Sequence, residues 1–198
     1  MNHELDGIGE RLRDERVKAG LSQRELARRV GLSASLVSQI ESGQSKPSVG
    51  SLYAIVTELD LSLDRLMRGE DYPGAASNGG GERTAHPGPV VHPGDRKTVE
   101  LASGVRWEQL AGEAEEAVDF LEAIYEVGGA STPDESLMRH HGREYGYVMS
   151  GRLGVQFGFE EHELGPGDSI AFDSTLPHRL FNKGAVPVHA IWFVVGRE

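Results

Sequence analysis

The stretch that decides the fold of the N-terminal part is Ser22–Gly43, SQRELARRVGLSASLVSQIESG. Apolar residues recur at helical spacing on both sides of Gly31, with Leu26, Ala27 and Val30 before it and Leu36, Val37 and Ile40 after it. Ser22-Gln-Arg-Glu25 has the form of a capping box, in which the hydroxyl and the carboxylate satisfy each other's exposed backbone donors. Gly31 has no Cβ and can take the positive φ of a tight turn, and Ser33 caps the helix that follows. Ala27 is small where two helices cross closely, and Ser35, Ser38 and Gln39 form a polar face opposite the second apolar stripe. Two short helices joined by a glycine turn, the second polar on its outer face, make the pattern of a helix-turn-helix.

The helical period extends outward from this core. Ile8, Leu12 and Arg16 share one face of a helix that stops near Gly20, with Val17 alongside. Pro47-Ser48 opens a fourth helix carrying Leu52, Ile55, Val56 and Leu59, and Leu61-Ser62 opens a fifth with Leu66. From Gly69 to Gly94 the chain is rich in Gly, Pro, Ala and Ser and cannot bury enough surface to offset its ordering entropy. Within it, Val90-Val91 could open the next domain as a short strand. Beyond it the period becomes two, through Val105, Trp107, Phe120, Glu122, Ile124, Tyr147, Met149, Val155, Phe157, Phe159, Ile170, Phe172 and the closing AIWFVV. Short strands without intervening helices imply a sandwich or barrel. The expectation is therefore an α+β multidomain chain: a five-helix all-α domain over 8–68, a Gly/Pro linker over 69–89 and an all-β domain over 90–198.

Composition narrows the chemistry. Of 198 residues, 38% are apolar and 26% charged, as in an ordinary globular chain. There are no cysteines, which excludes disulfides, zinc thiolates and thiol catalysis. The opening MNHELDGIGERLRDER lacks an apolar core, and no run reaches the roughly 18 apolar residues of a membrane span, so a cytoplasmic protein without membrane contact is expected. A net charge of −11 argues against a polyanionic partner. Its distribution does not: residues 8–50 carry eight Lys/Arg against five Asp/Glu, whereas residues 71–198 carry ten against twenty.

Residues Leu12 to Leu66 resemble the XRE-type helix-turn-helix of phage repressors and many bacterial regulators. The resemblance implies that the third helix lies in the major groove, with Ser35, Ser38 and Gln39 at the bases. Gln23 would anchor a phosphate, and Gln44, Ser45, Lys46 and Ser48 fall in the loop that clamps the backbone. Arg16 and Glu41 match an internal ion pair bracing the first and third helices. Arg24, Arg28, Arg29 and Lys46 are the cations left for further phosphate contact, so a single copy would bind weakly and a homodimer on a two-fold symmetric double-stranded operator is expected.

In the β domain, His140-x3-Glu144-x6-Gly151 straddles a turn into a strand, and a later cluster runs Gly165-Pro-Gly-Asp168, Asp173 to His178, then Asn182. His140 and Glu144 can point into a barrel together with His178, and two imidazoles and a carboxylate suit one divalent Zn, Ni, Mn or Fe ion. The alternative is a metal-free pocket wall in which Glu144 fixes a histidine tautomer. His141 should face solvent, and His162 and His189 lack partners at ligand spacing. These clusters resemble the two motifs of the cupin superfamily, a double-stranded β-helix barrel, with Met138 standing where the first motif usually has another histidine. The full combination resembles XRE regulators with a C-terminal cupin sensor domain. Arg106, Trp107, Tyr125, Tyr147, Arg179 and Trp192 are further pocket candidates, and charged walls would suit a small polar or carboxylated effector.

The expectation is a sequence-specific DNA-binding transcriptional regulator, a repressor rather than an activator, without catalytic residues. Its cupin domain would dimerise and bind a small molecule, and the linker would transmit that binding. The alternative is a mononuclear non-haem iron cupin oxygenase or epoxidase, such as a phosphonate epoxidase, that uses a helix-turn-helix-like domain as scaffold.

Overall fold

The structure, a computed structural model, describes residues 7–68, 89–112 and 118–196. The stretch read as a linker lies outside the described residues except for Pro89, which is exposed.

The N-terminal unit contains α1 (Ile8–Lys18), α2 (Gln23–Val30), α3 (Ala34–Glu41) and α4 (Val49–Glu58), followed by the six-residue α5 (Leu63–Arg68). The starts of α2, α3 and α4 are capped by Ser22, Ser33 and Ser48, whose hydroxyls accept from the backbone N–H of Glu25, Leu36 and Ser51 at 3.1 Å. Each such cap contributes on the order of 1 kcal/mol. The second half of the expected capping box does not form, because the Glu25 carboxylate pairs with Arg28 and Arg29 one turn on. Gly31 ends α2 with φ +70°, as the tight turn requires. Ile8, Leu12 and Arg16 are buried on one face of α1, but Val17 lies outside that face and is 58% exposed.

Among the described residues the C-terminal unit holds nine strands: β1 (Thr98–Leu101), β2 (Val105–Gln109), β3 (Val118–Tyr125), β4 (Arg143–Ser150), β5 (Leu153–Phe157), β6 (Glu160–Leu164), β7 (Ser169–Asp173), β8 (His178–Phe181) and β9 (Val188–Val195). They form a six-stranded sheet in the order β1-β2-β3-β9-β4-β7 and a three-stranded sheet in the order β6-β5-β8. Every strand pairing is antiparallel. Val90-Val91 forms no strand; a 3-10 turn at Pro93–Asp95 leads into the first strand instead.

The two units share one continuous cluster of buried apolar residues rather than two separate cores. Helix α4 is the reason. Leu52, Ile55 and Val56 are buried within the helical unit, while Val49 and Tyr53, one turn apart, reach the interior of the barrel beside Trp107. The seam is pinned by backbone hydrogen bonds from Gly50 N–H to Ser131 O at 3.1 Å and from Ala102 N–H to Pro47 O at 2.8 Å, and by the Lys46–Glu100 ion pair.

Candidate functional site

Glu144 comes from the larger sheet, His178 from the smaller, and His140 from the approach to β4, so the barrel itself brings the three together. Strand alternation turns Glu144 inward between exposed Arg143 and Tyr145. Met138 and His178 exchange backbone hydrogen bonds at 2.8 and 2.9 Å, which fixes the approach of His140 against β8. One atom from each of His140, Glu144 and His178 lies within 4.8 Å of the others, and all three residues are buried.

The hydrogen bonds around this cluster set its chemistry. His140 Nδ1 faces the His141 carbonyl at 3.0 Å and His178 Nδ1 faces the Leu176 carbonyl at 2.7 Å. A carbonyl can only accept, so both Nδ1 atoms carry the proton and both Nε2 atoms are lone-pair donors in the neutral rings. Those two Nε2 atoms lie 2.9 and 3.1 Å from Glu144 Oε1, and among the described residues none of these three buried atoms has a hydrogen-bond partner outside the cluster. The other carboxylate oxygen accepts from Trp192 Nε1 at 2.7 Å. Three converging acceptors need a positive charge between them, from a proton or from a metal ion, and the outer hydrogen bonds already orient each one. Burial pushes the Glu144 carboxyl up, but an Nε2 proton on the imidazoles, donated to the carboxylate and bringing positive charge, outweighs it and holds the group at about 2. Burial lowers His178, and the Glu144 carboxylate more than restores it, so its net shift is upward.

Trp192 reaches Glu144 because Gly146 lies opposite it across β4 and β9: a Cβ on Gly146 would fall 2.1 Å from the indole. Trp107, Tyr125 and Met138 complete the cavity wall on the barrel side, with Leu121, Ala123 and Leu180. The remaining wall comes from the helical unit. Tyr53, 5% exposed, stacks on His140 at 4.1 Å between ring centres and 6° between planes, and meets Trp107 edge-on at 5.5 Å. The space left measures about 10 Å³, near the roughly 10–15 Å³ that one water requires.

Of the expected pocket residues, Trp107, Tyr125, His140, Glu144, His178 and Trp192 are brought together, whereas Arg106 and Tyr147 are not. Both occupy outward positions of their strands. Arg106 pairs with Glu108 at 3.3 Å, and Tyr147 is 49% exposed. Arg179 is also outward and lies over the Phe181 ring. The expected charged lining is thus replaced by aromatic and apolar walls around one His-Glu-His cluster, which does not favour a carboxylated ligand. His189 does have a partner, Glu122 at 2.8 Å, in a network with Arg96 on the outside of the sheet. Tyr53 and Val49 were invisible as pocket residues in the sequence, because their spacing on α4 looks the same as core packing.

On the helical unit, Ser35 and Gln39 are exposed and Ser38 is half-buried on α3. Behind them the Arg16 guanidinium grips both Glu41 oxygens at 2.5 and 2.8 Å, and Gln23 Nε2 donates to Glu41 at 2.8 Å. Burial pushes the Glu41 carboxyl up, but the hydrogen bonds from Arg16 and Gln23 and the Arg16 charge bring it below the usual range. A cleft of about 300 Å³ opens beside this brace, lined by Arg13, Arg16, Gln23, Ser38, Glu41 and Ser42. Arg13 was missed in the sequence, although it precedes Arg16 by three residues and so adjoins it on α1. Arg24 and Gln44 are exposed and Ser45 is half-buried. Ser48 is not a surface contact: it is 7% exposed, and its hydroxyl caps α4. Three of the four cations expected at phosphates are already paired, Arg28 with Glu25, Arg29 with Glu25 and Glu58, and Lys46 with Glu100.

Comparison with known proteins agrees with this division. Residues 12–66 match the Helix-turn-helix family HTH_3, and residues 121–194 match the Cupin domain family Cupin_2. The chain is 26% identical to the HTH-type transcriptional regulator PuuR of Escherichia coli over 178 residues, 89% of this chain and 88% of that protein. It is 41% identical over 63 residues to the HTH-type transcriptional regulator y4dL of Sinorhizobium fredii, 32% of each chain. The crystal structure of an HTH_3 family transcriptional regulator from Vibrio cholerae shares the fold, with a TM-score of 0.68 at 22% identity over 98% of both chains.

Proposed function

We infer, from a chain that is an XRE-type helix-turn-helix protein with a cupin domain, that it is a sequence-specific DNA-binding transcriptional regulator whose cupin domain binds a small effector and dimerises. The observation that carries this reading is α3, whose polar residues Ser35 and Gln39 stay exposed while Arg16, Gln23 and Glu41 brace it from behind. In the major groove Gln39 would pair with an adenine edge, and Ser35 and Ser38 would complete the contact. Arg13, Arg24, Gln44 and Ser45 would meet phosphates, with Gln23 reaching the backbone through the part of its amide that Glu41 does not use. Lys46 would join them only by leaving Glu100. So few phosphate contacts call for two copies on a two-fold symmetric site.

The outer face of the larger sheet suits that dimer. Register places Phe120, Phe193 and Tyr145 in one row across β3, β9 and β4, with Phe120 and Phe193 stacked at 4.4 Å. Tyr145, Tyr147 and Met149 are 43%, 49% and 41% exposed on the same face of β4. A second copy would cover this apolar patch. As a repressor in the cytoplasm it would act by occupying its operator; no described helix is long and apolar enough to cross a membrane.

The inner cluster suits one divalent ion on His140 Nε2, Glu144 Oε1 and His178 Nε2, with borderline metals favoured by the two imidazoles. The ion would supply the positive charge that the three buried acceptors lack. With the helical unit seated, the aromatic walls leave room for little beyond such an ion. Protection of the chain's own upstream DNA tests the reading directly. A sequence-selective footprint that weakens steeply with salt supports it, and absence of any selective footprint with and without metal contradicts it.

A further inference from the structure

We propose that helix α4 of the DNA-binding unit is the lid of the barrel cavity and Tyr53 its plug. A ligand larger than a water or an ion would then enter only when the DNA-binding unit lifts away. The inference deepens the regulator reading and rests on it for its consequence, since it makes effector entry and the posture of the helix-turn-helix a single event.

Three observations carry it. Tyr53 is stacked on His140 with its ring almost parallel, in the position that a flat ligand seated against that imidazole would occupy. The cavity it leaves is about 10 Å³, against the roughly 300–1,000 Å³ of an ordinary small-molecule site. Finally, the polar contacts described across this seam are the Gly50 and Ala102 backbone hydrogen bonds and the half-exposed Lys46–Glu100 pair, and Val49 and Tyr53 are the α4 side chains that line the cavity.

Because Leu52, Ile55 and Val56 anchor the same helix in the helical core, α4 cannot leave the barrel without carrying α2 and α3 with it. The effector class that follows is a small molecule with a flat or apolar body able to replace the phenol on His140 and lie among Trp107, Tyr125 and Trp192. Its binding energy can shift the protein toward the lifted state only by its preference for that state.

The chain offers its own reporters. It has two tryptophans, Trp107 and Trp192, and both line this cavity. It has no cysteine, so an introduced pair can be oxidised without competition. A Cβ on Gly50 would lie 3.1 Å from Thr132 Cγ2, close to the about 3 Å between one half-cystine Cβ and its partner's sulfur. The experiment is acrylamide quenching of tryptophan emission in the full chain carrying Gly50→Cys and Thr132→Cys, compared oxidised and reduced. Tyr53→Ala is measured beside it. Oxidation is expected to cut the quenching constant about threefold, and Tyr53→Ala to raise it by about as much. Equal quenching in the oxidised and reduced forms overturns the lid even if Tyr53→Ala fails to fold. Loss of DNA protection in both forms would count against the regulator reading alone, because the quenching is read without DNA.

Discussion

At the scale of single residues the cluster turns on what stands beside its three acceptors. Met138 lines the cavity and is backbone-paired to His178, so Met138→His would present a third imidazole to the same ion. Titration calorimetry with Zn(II) should then show affinity rising about tenfold or more, while Glu144→Gln, which removes the carboxylate charge, should lower it by a comparable factor. Gly146 is decided by a neighbour rather than by its own backbone. Gly146→Ala forces a methyl into the Trp192 ring, breaks the indole hydrogen bond to Glu144 and should cost about 1–3 kcal/mol in chemical denaturation. His140, Glu144 and His178 could be picked out of the sequence because residue chemistry and spacing were enough. Tyr53 could not, because its role comes from a contact with a residue 87 positions away.

At the scale of elements, α3 is held from behind by a buried polar brace. Arg16→Ala leaves Glu41 buried without its cation and should destabilise the helical unit by about 3–5 kcal/mol, measured by thermal or urea unfolding. The Glu41 carboxyl lies below its ordinary value in the folded protein, so its contribution is fully present above the unfolded carboxyl value of about 4.3 and is lost as pH falls through the folded value. Stability of the helical unit should therefore decline below roughly pH 4 in the wild type, and less steeply in Glu41→Gln. The serine caps, the glycine turn and the helical periods were legible because they are local. Ser48 shows the limit of that reading: the residue that caps α4 well is for the same reason buried and unable to meet DNA. Arg106 and Tyr147 show another, since strand alternation tells which residues share a face but not which face is inside.

At the scale of the molecule, the outer face of the large sheet and the seam between the units would be the points of control in the proposed dimer. Tyr147→Glu together with Phe193→Glu places two charges on the outer aromatic face of the sheet. Sedimentation should report a shift from dimer to monomer, and operator affinity should fall by about tenfold or more as half-sites bind singly. Far-UV circular dichroism of the same variant should stay at the wild-type value, because both side chains point away from the core. The linker expected to transmit binding lies outside the described residues, and the two units also meet directly through α4, so one buried cluster runs from the helix-turn-helix into the barrel.

The sequence by itself determined the helix-turn-helix, the change of period to a β-barrel and the histidine and glutamate types able to hold a cation. Helix caps, turn glycines and hydrophobic periods act over a few residues and are written where they act. Only the tertiary structure decided which faces of the strands enclose the cavity, that its walls are aromatic rather than charged, and that a tyrosine of the DNA-binding unit fills it. Those outcomes depend on which side chains compete for one small buried volume, and that competition is settled by packing between residues far apart in the chain.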